Sequence, residues 1–284
     1  MTTLASRVPV PSAAPVAEPP ARFSDLLASE WIKMRSLRST QWTLILTTLF
    51  VIGSSAAAAL ADSDNLANTG PGARQLAEFL PFDAYPPAGY MTLMLVAGSI
   101  GALAVVSEYS SGLICTTTVA VPARGSVVLA KAAVVTALWT VLGTVIATGS
   151  FAVSQAILNG RHAGVSFTHP GVLRALVASA LLAPVCALIG LGIGVLIRHS
   201  AAGMVTCAFT LLMLPLLFSS GRRWSADLNH AMVGTAWKRL VQNWGPAPGD
   251  GFHYATIAGS WVVYALWPLV AIVLALIVVR RRDV

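Results

Sequence analysis

Six apolar runs constrain this chain more than any other feature. They cover about 41–61, 89–106, 127–157, 172–197, 201–218 and 256–279. Each is long enough to cross a bilayer, which takes roughly 20 apolar residues in a helix. The third run exceeds that need, so its first turns are expected to protrude. Composition agrees. Hydrophobic residues make up 56% of the 284, charged residues 10%, and mean hydropathy is +0.75. An ordinary globular chain carries about 25% charged residues, and this chain has too few to coat a soluble surface. As the class of the chain as a whole, a soluble enzyme, a disordered tail and a disulfide scaffold are all disfavoured. The fold class expected is an all-α integral membrane protein with six transmembrane helices.

The formal net charge is +7. In a soluble protein that would point to nucleic acid. Here the basic residues flank membrane spans, and such residues concentrate on the cytoplasmic side, facing its anionic leaflet. An even number of spans puts both termini on one side. Eleven Lys and Arg residues fall on the side of the termini and seven on the other. Lys33, Arg35 and Arg38 precede the first span, and Asp62 and Asp64 follow it. Both termini are therefore expected in the cytoplasm, with membrane lipids and not nucleic acid as the contact. Only three of the 18 basic residues are Lys, which with abundant Ala, Val and Gly suggests a GC-rich bacterial genome and hence a bacterial plasma membrane.

Between and before the spans the chain changes character. Residues 1–22 read as a disordered cytoplasmic tail, because Pro9, Pro11, Pro15, Pro19 and Pro20 forbid a helix. Residues 23–40 read as an amphipathic helix. Phe23, Leu27, Trp31 and Met34 recur at helical spacing, Ser24 can cap the start, and Asp25 and Glu30 come before Lys33, Arg35 and Arg38, an order that suits the helix dipole. Such a helix should lie in the inner interface with Trp31 at headgroup level. An ordinary cytoplasmic helix packing on a partner would look similar. Residues 280–284 form a basic cytoplasmic tail.

The chemistry motifs are sparse. The five histidines form no metal-binding spacing, and Cys115, Cys186 and Cys207 form no C-x-x-C. No phosphate cradle of the Gly-Lys-Ser/Thr kind exists, so ATP hydrolysis is not expected on this chain. No span carries an acid in its middle, which weighs against ion coupling. Ser99 lacks the first glycine of a G-x-S-x-G elbow and a nearby base. Pro184 is expected to kink its span. Gly190, Gly192 and Gly194, with Gly98 and Ala102, read as surfaces for close helix packing.

Two polar features remain. The first is Glu108-Tyr109-Ser110-Ser111-Gly112-Leu113-Ile114, followed by Pro122, Arg124 and Lys131. Glu108 ends a span, where an unpaired charge is costly, so it should pair with Arg124, Lys131 or a partner's cation. Exposed Leu113 and Ile114 would make a docking surface for a cytoplasmic partner. The second is the segment 219–255. Leu228, Met232, Trp237, Leu240, Val241 and Trp244 recur at helical spacing. Ser225 could cap the start, and Gly245-Pro246 could stop it. That predicts one helix of about 19 residues over 226–244, lying on or dipping into the outer leaflet with Lys238 and Arg239 reaching the headgroups.

At these residues the chain resembles the membrane subunits of ABC-2-type ABC transporters, especially the small six-span actinobacterial kind. The resemblance rests on Glu30-Trp31-Ile32-Lys33-Met34-Arg35-Ser36-Leu37-Arg38-Ser39-Thr40 before the first span. It rests also on Glu108-Tyr109-Ser110-Ser111-Gly112 through Pro122, Arg124 and Lys131, and on Gly190-Leu191-Gly192-Ile193-Gly194-Val195-Leu196-Ile197-Arg198. One departure is Cys115-Thr116, where a basic residue is expected.

The resemblance implies an exporter architecture. Residues 23–40 would be the connecting helix, with Glu30, Trp31, Lys33, Arg35 and Arg38. Coupling to the ATPase would involve Glu108, Tyr109, Gly112, Leu113, Ile114, Arg124 and Lys131, within a coupling loop over 107–126. Residues 219–255 would be a re-entrant region whose Met232, Trp237, Leu240 and Trp244 gate the exit. The implied partners are ABC ATPase subunits and a second permease copy or homologue. ATP and Mg would sit on the partner ATPase, with no cofactor, metal or catalytic residue on this chain. Apolar spans with few buried polar groups would suit a hydrophobic or amphipathic cargo, drug, lipid or peptide-like. The alternatives are a non-transporting membrane scaffold that recruits a cytoplasmic partner, and an intramembrane enzyme, for which no catalytic pair is visible.

Overall fold

The computed structural model describes residues 22–67, 81–111, 124–160, 162–218, 221–244 and 253–281. Among them every regular element is helical, and six helices are long and apolar enough to cross a membrane. In chain order, α1 (Phe23–Ser36) leads to the first long helix, α2 (Arg38–Ala67). A single turn, α3 (Pro81–Ala84), precedes α4 (Pro87–Ser110). Then come α5 (Arg124–Asn159) and α6 (Val172–Ile197). The fifth long element begins as α7 (Ser200–Ala208) and runs on through a π turn (Phe209–Met213) and a 3-10 turn (Leu214–Leu217). Two short helices follow, α8 (Arg223–His230) and α9 (Val233–Val241), then α10 (Ile257–Arg281). The N-terminal tail before residue 22 and most of the stretch between α4 and α5, with Gly112, Leu113 and Ile114, lie outside the described residues.

The bundle is built around α6. Within its apolar stretch 72% of residues are buried, against 17% for the apolar stretch of α10. Sequence explains the difference: α6 is rich in Ala and Gly, whereas α10 presents Val262, Leu266, Leu269 and Val273 outward. Helices in lipid gain little from hiding apolar side chains, because acyl chains are equally apolar. Close backbone approach is what holds them. A Cβ on Gly190 would meet the Gly98 carbonyl, and one on Gly101 would meet the Ala187 carbonyl. The α4–α6 contact therefore tolerates only glycine at these points.

Helix α6 runs as one element through Pro184. A proline has no N–H, so the Ala180 carbonyl one turn earlier loses its helical donor. That carbonyl lies against α5 at Gly143, where a Cβ would collide with it. Glycine lets the freed carbonyl approach a neighbouring backbone. The two ends of the bundle differ in use. Arg280 of α10 lies close to Gly125 of α5, and α1 packs on the same end. This is the termini face. Helices α3, α8 and α9 occupy the opposite face.

Candidate functional site

The first polar feature becomes a four-charge cluster on the termini face. Helix α1 lies across the start of α5. Its helical period puts Leu26, Leu27, Glu30, Lys33 and Met34 on one face, so the side turned to the bundle carries charge as well as carbon. Phe23, Trp31 and Ile32 point away and are exposed. The expected apolar stripe of α1 is thus divided: Leu27 and Met34 are half-buried, while Phe23 and Trp31 face outward. The start is fixed by Arg22, whose backbone N–H donates to Asp25 Oδ2 at 2.9 Å, and not by Ser24.

The cluster alternates in sign. Lys33 Nζ donates to Glu30 Oε1 and to Glu108 Oε1, each at 2.7 Å. Lys131 Nζ donates to Glu108 Oε1 at 3.1 Å and also to Glu30 Oε2. Glu30, Glu108 and Lys131 are 3%, 6% and 5% exposed. Two carboxylates and two ammonium groups sum to zero, so no net charge is left in a place water barely reaches. Lys33 lies on the rim. Burial pulls its ammonium down, but the hydrogen bonds and charges of Glu108 and Glu30 outweigh that and hold its pKa above the ordinary lysine value. Lys131 sits seven residues into α5, about 10 Å along the helix from its start. Helix α5 is longer than a bilayer requires, and Lys131 lies near its start.

Glu108 and Lys131, named for the coupling loop, pair, and Glu30 and Lys33, named separately for the connecting helix, join them. Arg124 opens α5 and makes no ion pair with Glu108, Glu30 or Asp25 among the described residues. Arg35 and Arg38 are exposed. The Tyr109 ring lies 4.8 Å from the guanidinium of Arg198, a cation–π contact that no local spacing announces. Arg198 closes α6 in the left-handed region, φ 56°. The signal that could have found the cluster is Lys131 itself: a lysine inside an apolar helix needs an anionic partner, and Glu30 is the nearest acid upstream of the first span.

The second feature, on the opposite face, is a plug wedged into the bundle. The single helix expected over 226–244 is two helices broken at Ala231–Met232. Ser225 lies inside α8, which starts from Arg222. The break is held by Trp267 Nε1, which donates to the Ala231 carbonyl at 2.7 Å. Asn229 Nδ2 donates to the Pro215 and Phe218 carbonyls at 2.8 and 2.9 Å, satisfying the frayed end of the fifth long element. Met232, Trp237 and Leu240 are buried, and Trp244 is half exposed. Trp237 stacks on Tyr90 at 5.1 Å and donates to Ser179 Oγ at 3.2 Å. Arg174 Nε and Nη2 donate to the Leu240 and Gln242 carbonyls at 2.8 and 2.7 Å, capping α9. Arg239 likewise donates to the Ala255 and Trp244 carbonyls, and Lys238 is exposed.

Among the described residues no group of three or more His, Cys, Asp or Glu is placed to hold a metal ion. What the arrangement can do is mechanical. One ion cluster ties a helix outside the bundle to two spans, and one plug ties four spans together at the other end. A comparison with models of known protein families and with curated proteins finds no match to this chain.

Proposed function

We propose that this chain is the membrane subunit of an ATP-driven exporter of the ABC-2 kind. It would work in a bacterial plasma membrane with both termini cytoplasmic. Two copies, or this chain and a homologue, pair, and separate ABC ATPase subunits dock on the termini face and carry the ATP and Mg. The observation that carries the reading is the Glu30–Lys33–Glu108–Lys131 cluster. It joins α1 to the end of α4 and the start of α5, the two spans that flank residues 112–123. A push on that stretch from a docked ATPase reaches α1, α4 and α5 as one unit, because a buried ion network resists being pulled apart. Rigid-body tilting of packed helices then carries the motion to the plug. The cargo class that suits the apolar spans is hydrophobic or amphipathic.

The test is co-purification with the neighbouring ATPase gene product, then ATP turnover in lipid. Turnover stimulated by this chain, and reduced in Glu108→Gln while the complex still assembles, is the expected outcome. A complex that forms without any stimulation would instead favour a scaffold that merely recruits the partner. Orientation is checked separately with an impermeant maleimide on intact cells. Single cysteines replacing Asn68 and Ser219 should react and one replacing Ser12 should not.

A further inference from the structure

The plug leaves two openings that share a wall. On one side of α9 lies a small apolar cleft of about 40 Å³, formed by Met91 and Met94 of α4, Leu211, Leu212 and Leu216 of the fifth long element, and Trp237. Thr235 and Lys238 form its rim. On the other side lies a polar groove of about 280 Å³, and Thr235 and Lys238 line that one too. The groove also takes in Arg239, His230 and His253, and no carboxylate among the described residues lines it. His230, His253 and Tyr254 are shared with a wider hollow of about 630 Å³, which Arg223 and Asp227 also line. Lys238 is exposed and has no hydrogen-bond or ion-pair partner among the described residues.

The cleft has a local cause. The fifth long element loosens into a π turn at Phe209–Met213 and then tightens into a 3-10 turn at Leu214–Leu217. The change of pitch opens a slot against α4, and π turns of this sort recur at functional positions. Leu216 lines the slot and is 70% exposed, so apolar surface continues from the slot onto the outside of the fifth long element.

We infer that Lys238 and this cleft form a binding site for an amphiphile with an anionic headgroup. The headgroup meets the Lys238 ammonium at the mouth of the cationic groove. The first carbons of the chain enter the slot between Met91, Met94 and Leu212, and the rest lies along Leu216. About 40 Å³ holds only the start of a chain, which is why the exposed apolar surface is part of the site. Lysine suits such a position because its stem covers apolar surface while its charge stays at the polar edge. An acidic headgroup is the complement of a groove with two cations and no acid. This deepens the exporter reading by naming the class of compound that leaves by this face, and for that meaning it rests on that reading.

The experiment needs no ATPase, so it succeeds or fails independently of the exporter reading, which depends on ATP turnover. The purified chain, in phosphatidylcholine nanodiscs, is photolabelled with a lysophosphatidylglycerol carrying a diazirine near the start of its acyl chain. The same chain on a lysophosphatidylcholine is the control. The expected result is adducts on the peptides containing Met91–Met94 and Leu211–Leu216, several-fold stronger for the acidic probe. Lys238→Glu should remove that preference, and Lys238→Arg should keep it. Lys238 is on the surface, so both variants should fold, and thermal melting in detergent verifies it. Equal labelling by the two probes, labelling that Lys238→Glu leaves unchanged, or adducts confined to other helices would each overturn the proposal.

Discussion

Replacing Lys131 with Met tests the charge cluster most directly. Methionine matches the length and flexibility of the lysine stem and removes only the charge and its donors. Lys131 bridges both carboxylates and is 5% exposed. Without it Glu30 and Glu108 face each other with Lys33 as their only cation among the described residues, and the side chain of Lys33 is 41% exposed. Breaking a buried pair by removing one partner costs about 3–5 kcal/mol. Lys33 and the water around it lower that to about 3 kcal/mol, still a factor of about 100 in the folded-to-unfolded ratio. The assay is unfolding in detergent at pH 7.5, for the single variant and for Lys131→Met combined with Glu30→Gln. The double variant removes one charge of each sign and leaves Glu108 paired with Lys33. It should recover most of the loss, a coupling of at least about 1 kcal/mol in the double-mutant cycle. The loss in the single variant should also shrink on acidification, because protonating a carboxylate removes the uncompensated charge. A single variant as stable as the parent, or a double variant whose losses simply add, would refute the claim that the four side chains act as one unit.

Three further outcomes follow from the packing and the plug. Trp237→Ala should cost about 3–5 kcal/mol, the range for removing a buried tryptophan; Trp237→Phe, which keeps the stack on Tyr90 but loses the bond to Ser179, should cost markedly less, and thermal melting of the two compares them. Gly190→Val should prevent α4 and α6 from closing against the Gly98 carbonyl, read as loss of monodisperse protein on size exclusion in mild detergent. Asp83 has a carboxyl pushed up to about 7 by burial first and then by the neighbouring Asp62 carboxylate. The folded state therefore keeps a proton that the unfolded chain releases near pH 4, so stability falls as pH rises through about 4 to 7 and levels off above. Asp83→Asn should flatten that slope in melting scans from pH 5 to 8.

How much of this is legible in the sequence follows from the range of the interactions concerned. Spanning length is a local property, set by bilayer thickness against helix rise. That is why the apolar runs at 172–197 and 201–218 correspond to helices Val172–Ile197 and Ser200–Leu217 almost residue for residue. The glycines at 98 and 190 declare close packing in general, because a bare backbone has little other use in an apolar helix. The helices they face, the Gly98 carbonyl that Gly190 admits and the Leu211 side chain that Gly98 admits emerge only with the fold.

The two polar features divide in the same way. Glu108 and Lys131 announce a need for partners, since a charge in an apolar run is costly alone. Sequence proximity makes Lys131 a candidate for Glu108. The other two members, Glu30 and Lys33, stand on a helix outside the bundle, and their bonds join residues 75 and 101 positions apart. No local pattern encodes such a pairing. In the segment after the fifth long element, helical spacing correctly marks Met232, Trp237 and Leu240 as one apolar set. It cannot register the break at Ala231, because that break is held by Trp267 of α10, far along the chain. Sequence by itself determined which long stretches are helical and apolar enough to cross a membrane and which residues could not stand unpaired, since these depend on near neighbours and on the solvent. Tertiary structure alone decided which charges pair and whether an amphipathic segment lies on the surface or wedges into the bundle, since both depend on groups that only folding brings together.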